Sequence, residues 1–188
     1  MAHWGYTETN GPTTWNKNFP IAEGSRQSPI DIVPSKAVFD SDLTASDSLR
    51  VDYTPEDEAH LQNNGHSVMC QITKTGYLTG GPLGSQQFRL EQFHLHWGAD
   101  DNRGSEHTID GKMFASEVRR AYWTYEGSLT TPPLLESVQW IVFKEPVEFS
   151  HQQLTALRSL TDSDGHHMQD NYRPPVPTKG RKVRASFQ

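Results

Sequence analysis

A single cysteine, Cys70, stands among 188 residues, so an internal disulfide is excluded and a reducing compartment fits best. No stretch approaches the roughly 20 consecutive apolar residues that a membrane-spanning helix needs. The first residues, Met1-Ala-His-Trp-Gly-Tyr6, lack the basic start and apolar run of a secretory leader. Positive charge is also scarce: 17 Lys and Arg face 23 Asp and Glu, a net charge of −6, which disfavours general nucleic-acid binding. The one basic run, Lys179-Gly-Arg-Lys-Val-Arg184, reads as a solvated strand edge, because charges interrupt Val183, Ala185 and Phe187 in strand fashion. These absences predict a soluble cytoplasmic chain with neither nucleic acid nor membrane as partner.

What is present points to a packed core. Five Trp, six Tyr and eight Phe are spread over the whole length, and a mean hydropathy of −0.73 is polar without being disorder-like. Residues 1–27 are rich in Gly, Pro, Asn and rings, and predict an irregular segment pinned to a body by Trp4, Tyr6, Trp15 and Phe19. Strand-like pieces follow at Ser28–Ile32, Leu49–Tyr53 and Gly65–Ile72, the last led into by His60–Asn64, with Pro55–Glu58 as an exposed turn. Gly76–Gly84 reads as a glycine-rich turn, and Gln87–Trp97 as one long strand. Glu106–Ile109 and Met113–Val118 are short strands about an Asp110-Gly111 hairpin signal. Trp123–Tyr125 precedes a loop in which Pro132 and Pro133 forbid regular structure. Ser137–Phe143 is the strongest buried strand. The one convincing helix starts at Ser150, where Ser150 and Gln153 form a capping box and Leu154, Leu157 and Leu160 share a face. No repeat or linker divides the chain. Many short strands with few helices predict a mostly-β single domain, 1–188, around a twisted, largely antiparallel sheet.

Chemistry concentrates in Gln92-Phe93-His94-Leu95-His96-Trp97. On a strand, side chains alternate faces, so His94 and His96 project together with Leu95 opposite. Two imidazoles on one stiff face form a bidentate clamp for Zn²⁺ or another borderline metal. The plain alternative is a hydrogen-bonded pair on a polar sheet face. A cupin-like site, with Asp100 or Asp101 as acidic ligand, is disfavoured because no later Gly-rich segment supplies a further histidine.

Eight separated pieces then occur in a familiar order: Trp4-Gly-Tyr6, Arg26-Gln-Ser-Pro-Ile-Asp31, Asn63-Asn-Gly-His66, Gln92-Phe-His-Leu-His-Trp-Gly98, Gly104-Ser-Glu-His-Thr108, Tyr122-Trp-Thr-Tyr125, Gly127-Ser-Leu-Thr-Thr-Pro-Pro133 and Asn171-Tyr-Arg-Pro174. In this the chain resembles the α-class carbonic anhydrases, and its single cysteine resembles their cytosolic branch. The resemblance implies reversible hydration of CO2 to bicarbonate and a proton, with His94 and His96 as two of three zinc-binding histidines. Zinc there lowers the pKa of bound water to about 7, a value known for carbonic anhydrase itself and not read from this chain. It further implies that Thr130 accepts the hydroxide's proton and donates its own to Glu106, and that Leu129 and Thr131 line the substrate side. Gln92 and the Asn171 backbone would hold the free ring nitrogens of His94 and His96. His66 would shuttle protons, His107 would be structural, and the protein would be a monomer.

The resemblance breaks after Glu117. The family continues from a segment like Phe114-Ala-Ser-Glu117 into Leu-His-Leu-Val-His-Trp, whose first histidine is the third zinc ligand. Here Val118-Arg119-Arg120-Ala121 follows instead, and the chain joins, near 117–121, a part of the family pattern found roughly seventy residues further on, more than loop variation allows. Arg119 occupies the ligand position, and Glu117, implied to orient the third histidine, loses its partner. A guanidinium repels a dication and stays charged. Weakened zinc binding and impaired hydration are the expected result. A non-catalytic binding or regulatory relative is the alternative.

Overall fold

The computed structural model describes residues 3–44, 48–55, 59–73, 76–113 and 121–188. The expected strand at Met113–Val118, most of the turn at Pro55–Glu58, and Glu117 and Arg119 themselves therefore lie outside the described residues, wholly or in large part.

Among the described residues the chain forms twelve strands and one α-helix. In order these are β1 (Asp31–Ile32), β2 (Val38–Phe39), β3 (Arg50–Asp52), β4 (His60–Asn63), β5 (Val68–Gln71) and β6 (Tyr77–Thr79). Then come β7 (Phe88–Arg89), β8 (Gln92–His94), β9 (Thr108–Ile109), β10 (Tyr122–Gly127), β11 (Val138–Phe143), α1 (His151–Arg158) and β12 (Arg184–Ala185). The mostly-β expectation holds. The strands fall into four small sheets, ordered β1-β9, β11-β10-β12-β2, β3-β6-β7 and β4-β5-β8. Pairing is antiparallel except for β1 with β9 and β12 with β2.

Local chemistry accounts for most boundaries. Asp110 and Gly111 both adopt positive φ, 48° and 72°, as the hairpin signal requires. Ser150 Oγ accepts from the Gln153 N–H while Gln153 Oε1 accepts from the Ser150 N–H, the reciprocal cap expected for α1. In the N-terminal segment, Trp4, Tyr6 and Trp15 meet edge to face with centroids 5.6–5.9 Å apart. Trp15 is buried, so rings rather than backbone ladders pin this irregular stretch.

Four elements differ from the sequence reading. Gln87–Trp97 is two strands, not one: β7 pairs with β6, and β8 pairs with β5 in another sheet. The ladder changes partner between Leu90, whose N–H donates to Gly76, and Glu91, whose carbonyl accepts from Ile72. The Gly76–Gly84 stretch is not turn throughout, because Tyr77-Leu78-Thr79 has strand-forming side chains and sits between β3 and β7. β11 is not the most buried strand. It lies at a sheet edge and only Val142 in it is buried, whereas inner β10 buries every residue except Glu126. β12 is likewise inner, between β10 and β2, so the basic C-terminal run is not a free edge.

Two apolar clusters frame the site. One joins Ile30, Ile32, Trp123, Tyr125, Val142 and Ala185, knitting β1, β10, β11 and β12. The other packs Trp97, Leu154 and Met168, bringing α1 against the chain just after β8. Burying one such ring contributes about 4–6 kcal/mol gross, from roughly 150–250 Å² at about 25 cal/mol per Å².

Candidate functional site

β8 enters the site as the outer strand of its sheet. Its register sets His94 against Met69 and Phe93 against Cys70. Bonds from Leu95 N–H to Val68 and from Ile72 N–H to Glu91 extend the same ladder at both ends. Odd-numbered residues thus bond to β5, and the backbone groups of Gln92 and His94 face the other way. Just past β8, His96 brings its ring to 5.0 Å from that of His94, at 74°. The two histidines share one side, as alternation requires.

Each ring has one nitrogen held. His94 Nδ1–H donates to Gln92 Oε1 at 3.0 Å, and His96 Nδ1–H donates to the Asn171 carbonyl at 2.7 Å. Both partners are oxygen acceptors, so the protons sit on Nδ1 and the Nε2 lone pairs are left for a metal. His94 stays exposed on the open edge, yet enough of its ring is enclosed to lower its pKa; desolvation leads and His96 adds to it. A neutral imidazole is the form that binds metal.

Asn171 does more than the sequence indicated. Its Oδ1 accepts from the Trp97 N–H at 2.8 Å and its Nδ2 donates to the His66 carbonyl at 3.0 Å. One buried side chain thereby ties His66 to the strand exit that carries His96. Glu106, also buried, accepts from the Arg173 N–H at 3.1 Å, and its second oxygen lies 3.5 Å from His96 Nε2. Its negative charge adds to burial in raising the Tyr6 pKa. Arg173 and Tyr6 were not singled out from the sequence as site residues, although both stand inside quoted motifs.

His94, His96, Glu106, Leu129, Thr130 and Thr131 all line one cavity of about 530 Å³. Thr130 is buried there, and the hydrogen bonds of the described residues include none between it and Glu106. His66 stands apart from this lining and stacks on Trp4, centroids 3.9 Å apart at 13°. Its pKa is lowered by burial and by His3, against the pull of Asp164 and Asp162. Asp101 is engaged with His151 and Arg158, and Asp100 with Arg103, so neither acts as a cupin-type ligand here.

A catalytic zinc takes three protein ligands and keeps one position open. All nine histidines are among the described residues, and among those residues no third donor forms a close set with both His94 and His96. Among the described residues, the one set of three His, Cys, Asp or Glu donors lying within 4.8 Å of each other is Asp162, Asp164 and His166, which includes neither. His107 also borders the cavity, but its Nε2 is bonded to the Tyr125 hydroxyl at 2.6 Å. Among the described residues the two imidazoles suit zinc in kind and are one fewer than the three ligands a catalytic zinc takes.

His107 is enclosed between Tyr125 and Trp140, and its Nε2–H donates to Tyr125, whose hydroxyl donates to Ser28 at 2.9 Å. Its pKa is pushed down to about 3, chiefly by burial and next by His96. The unfolded chain, with a histidine near 6.5, takes up a proton that the folded chain refuses. The stability this group supports is complete above pH 6.5 and is lost as pH falls toward 3. Urea unfolding at pH 7.5 and 5.0 should show a fall of roughly 1 kcal/mol per pH unit below 6.5 from this group. His107→Gln, which keeps a donor toward Tyr125, should flatten that fall. Equal pH slopes for both proteins would contradict this placement of the ring.

Comparison with known proteins completes the picture. The chain is 36% identical to carbonic anhydrase 7 of Mus musculus over 261 residues, covering 98% of this chain and 97% of the relative. Human carbonic anhydrase 7 matches with the same identity and coverage, and mouse carbonic anhydrase 1 is 35% identical over 262 residues, covering 99% of each. Since 261 aligned positions span a chain of 188, roughly seventy positions of the relative face no residue here. The family description "Eukaryotic-type carbonic anhydrase" matches in two pieces, residues 10–120 and 116–187, which overlap at 116–120. On matches that reach across nearly its whole length, the chain belongs to the eukaryotic-type carbonic anhydrase family and lacks an internal segment of it.

Proposed function

We propose that the cavity is the family's CO2-hydration site in incomplete form, holding zinc weakly through His94 and His96 and converting CO2 to bicarbonate far more slowly than a complete member. The observation that carries this reading is the donor set: two imidazoles with Nδ1 engaged turn their Nε2 atoms to the cavity, and among the described residues no third donor forms a close set with both. Arg119, in the sequence position of the third ligand, adds a charge of the wrong sign. Zinc, when held by three ligands, would supply an activated water. The chain's own residues still supply the surroundings. Gln92 and Asn171 fix the tautomers of the two histidines. Glu106 and Thr130 give the cavity a buried polar wall, Leu129 and Thr131 border the substrate space, and His66 is the proton shuttle. Glu117 has no histidine left to orient.

The same reading makes the protein a cytoplasmic monomer of one domain, with CO2 and bicarbonate as its small-molecule partners. The lone buried Cys70 suits a reducing compartment, and no helix among the described residues is long and apolar enough to cross a membrane. A second reading, a non-catalytic binding or regulatory relative, is favoured by the strand edges at the cavity that have no partner among the described residues.

Stopped-flow CO2 hydration with zinc in excess tests the proposal. Losing one ligand and the surrounding strands is expected to cost at least about a thousandfold, or about 4 kcal/mol in the barrier, against a complete relative assayed alongside. Turnover at the relative's rate would refute it.

A further inference from the structure

Two strand edges border the same cavity, and neither has a partner among the described residues. On β8 the outward backbone groups belong to Gln92 and His94, as the ladder with β5 dictates. On β11 the phase is set by Lys144 N–H donating to the Ala121 carbonyl at 2.8 Å. Val142, Trp140 and Val138 follow in the same phase opposite Trp123, Tyr125 and Gly127, so the N–H and C=O groups of Gln139, Ile141 and Phe143 face outward. Val138, Trp140 and Val142 border the cavity from β11, and Phe93 and Leu95, on the strand face opposite His94 and His96, border it from β8. Phe93 is 48% exposed, unusual for a ring beside a core.

The position of this opening is informative. The two matched pieces of the family meet at residues 116–120, between β9 and β10, and the relatives carry roughly seventy more positions at that join. An edge of alternating donors and acceptors is satisfied by water or by another strand, and an exposed, apolar one recruits a strand from another chain. A net charge of −6 gives nucleic acid no purchase.

We propose that the cleft between β8 and β11 binds, in trans, an extended polypeptide of the kind the complete family carries at the join. Such a strand pairs its backbone with the outward groups of β8 and β11 and sets apolar side chains against Phe93, Leu95, Val138, Trp140 and Val142. The partner is thus a protein that presents an unpaired, alternately apolar β-strand. The proposal is independent of whether zinc is held, and its readout involves neither metal nor CO2.

The test uses the full chain, labelled with ¹⁵N, and the segment of mouse carbonic anhydrase 7 that faces the gap, carried on a soluble fusion partner. Added in excess, this segment should slow amide exchange of Gln92, His94, Gln139, Ile141 and Phe143 at least tenfold, while a scrambled segment leaves the rates unchanged. Ile141→Pro removes one outward N–H without touching the ladder to β10, and should weaken capture at least tenfold. The proposal is overturned if exchange at these amides is unaltered by the segment, or if they are already protected in the free chain. Protection that grows with the chain's own concentration would assign the edges to a second copy, and would overturn it equally.

Discussion

Reinserting the family's missing segment after Glu117 should raise zinc affinity by at least about a thousandfold, some 4 kcal/mol, whereas Arg119→His alone should raise it less than about tenfold. The substitution restores the family's spacing, a histidine two residues after Glu117, and so supplies the missing ligand type. Ligand type is only part of what a zinc site needs. Donors must stand within a few tenths of an ångström of tetrahedral positions, held by paired strands and by partners for their second nitrogens. His94 and His96 meet that standard on one side, through Gln92 and Asn171. Their strand, β8, lacks a second neighbour among the described residues, and the opposite edge, β11, lacks one as well. Reinsertion supplies neighbours and ligand together and should raise the unfolding midpoint too. Competitive zinc titration of both variants decides the matter. Full recovery by Arg119→His would show that the two-histidine scaffold needs only a donor.

Arg173→Met should destabilise the chain by about 3–5 kcal/mol, a large share of the total for a protein of this size. Arg173 is 3% exposed. Its Nη1 donates to Gln27 Oε1 at 2.8 Å and to the Ser28 carbonyl at 2.7 Å, and its Nη2 donates to the Ala22 carbonyl at 3.1 Å. Its backbone N–H holds Glu106. Burial lowers the guanidinium pKa and Glu106 opposes that shift, as expected for a desolvated cation with a compensating charge nearby. Methionine keeps much of the volume but strands three acceptors and leaves Glu106 without that charge. The N-terminal ring cluster should loosen with it, because the guanidinium lies 5.9 Å from the Trp15 ring. Urea unfolding measures the loss, and a change below about 1 kcal/mol, the size of a surface substitution, would mean these bonds do not hold the segment.

Much of this was legible in the sequence. The strand pair His94 and His96, the cap at Ser150, the turn at Asp110-Gly111 and the mostly-β class all follow from period, cap and turn chemistry acting over a few residues. Partner choice does not. Whether Ser137–Phe143 is inner or edge depends on which strands lie beside it, and no local pattern distinguishes an inner strand from one whose neighbour has been removed. The break at Leu90, where the chain leaves one sheet for another, is hidden for the same reason. In the site, Gln92 and the Asn171 carbonyl bond the rings of His94 and His96 through segments the resemblance already named. The side-chain bonds of Asn171 and the span of Arg173 from Glu106 to Gln27, by contrast, join segments far apart in the chain. An asparagine or arginine in a loop carries no mark of such a role. Thr130 and Glu106 show the reverse: both line one cavity, yet the bonds Glu106 makes in the structure run to Arg173 and toward His96.

Zinc content of the folded chain tests the central claim most directly. A sample shown to be folded by near-ultraviolet circular dichroism is loaded with zinc, dialysed against metal-free buffer beside a complete relative, and analysed for metal per chain. The complete relative should keep one zinc. A two-histidine site should keep well under a tenth of one, since losing a ligand that contributes several kcal/mol shifts affinity by orders of magnitude. One zinc retained per chain would contradict the incomplete site and require a third donor to complete the set with His94 and His96.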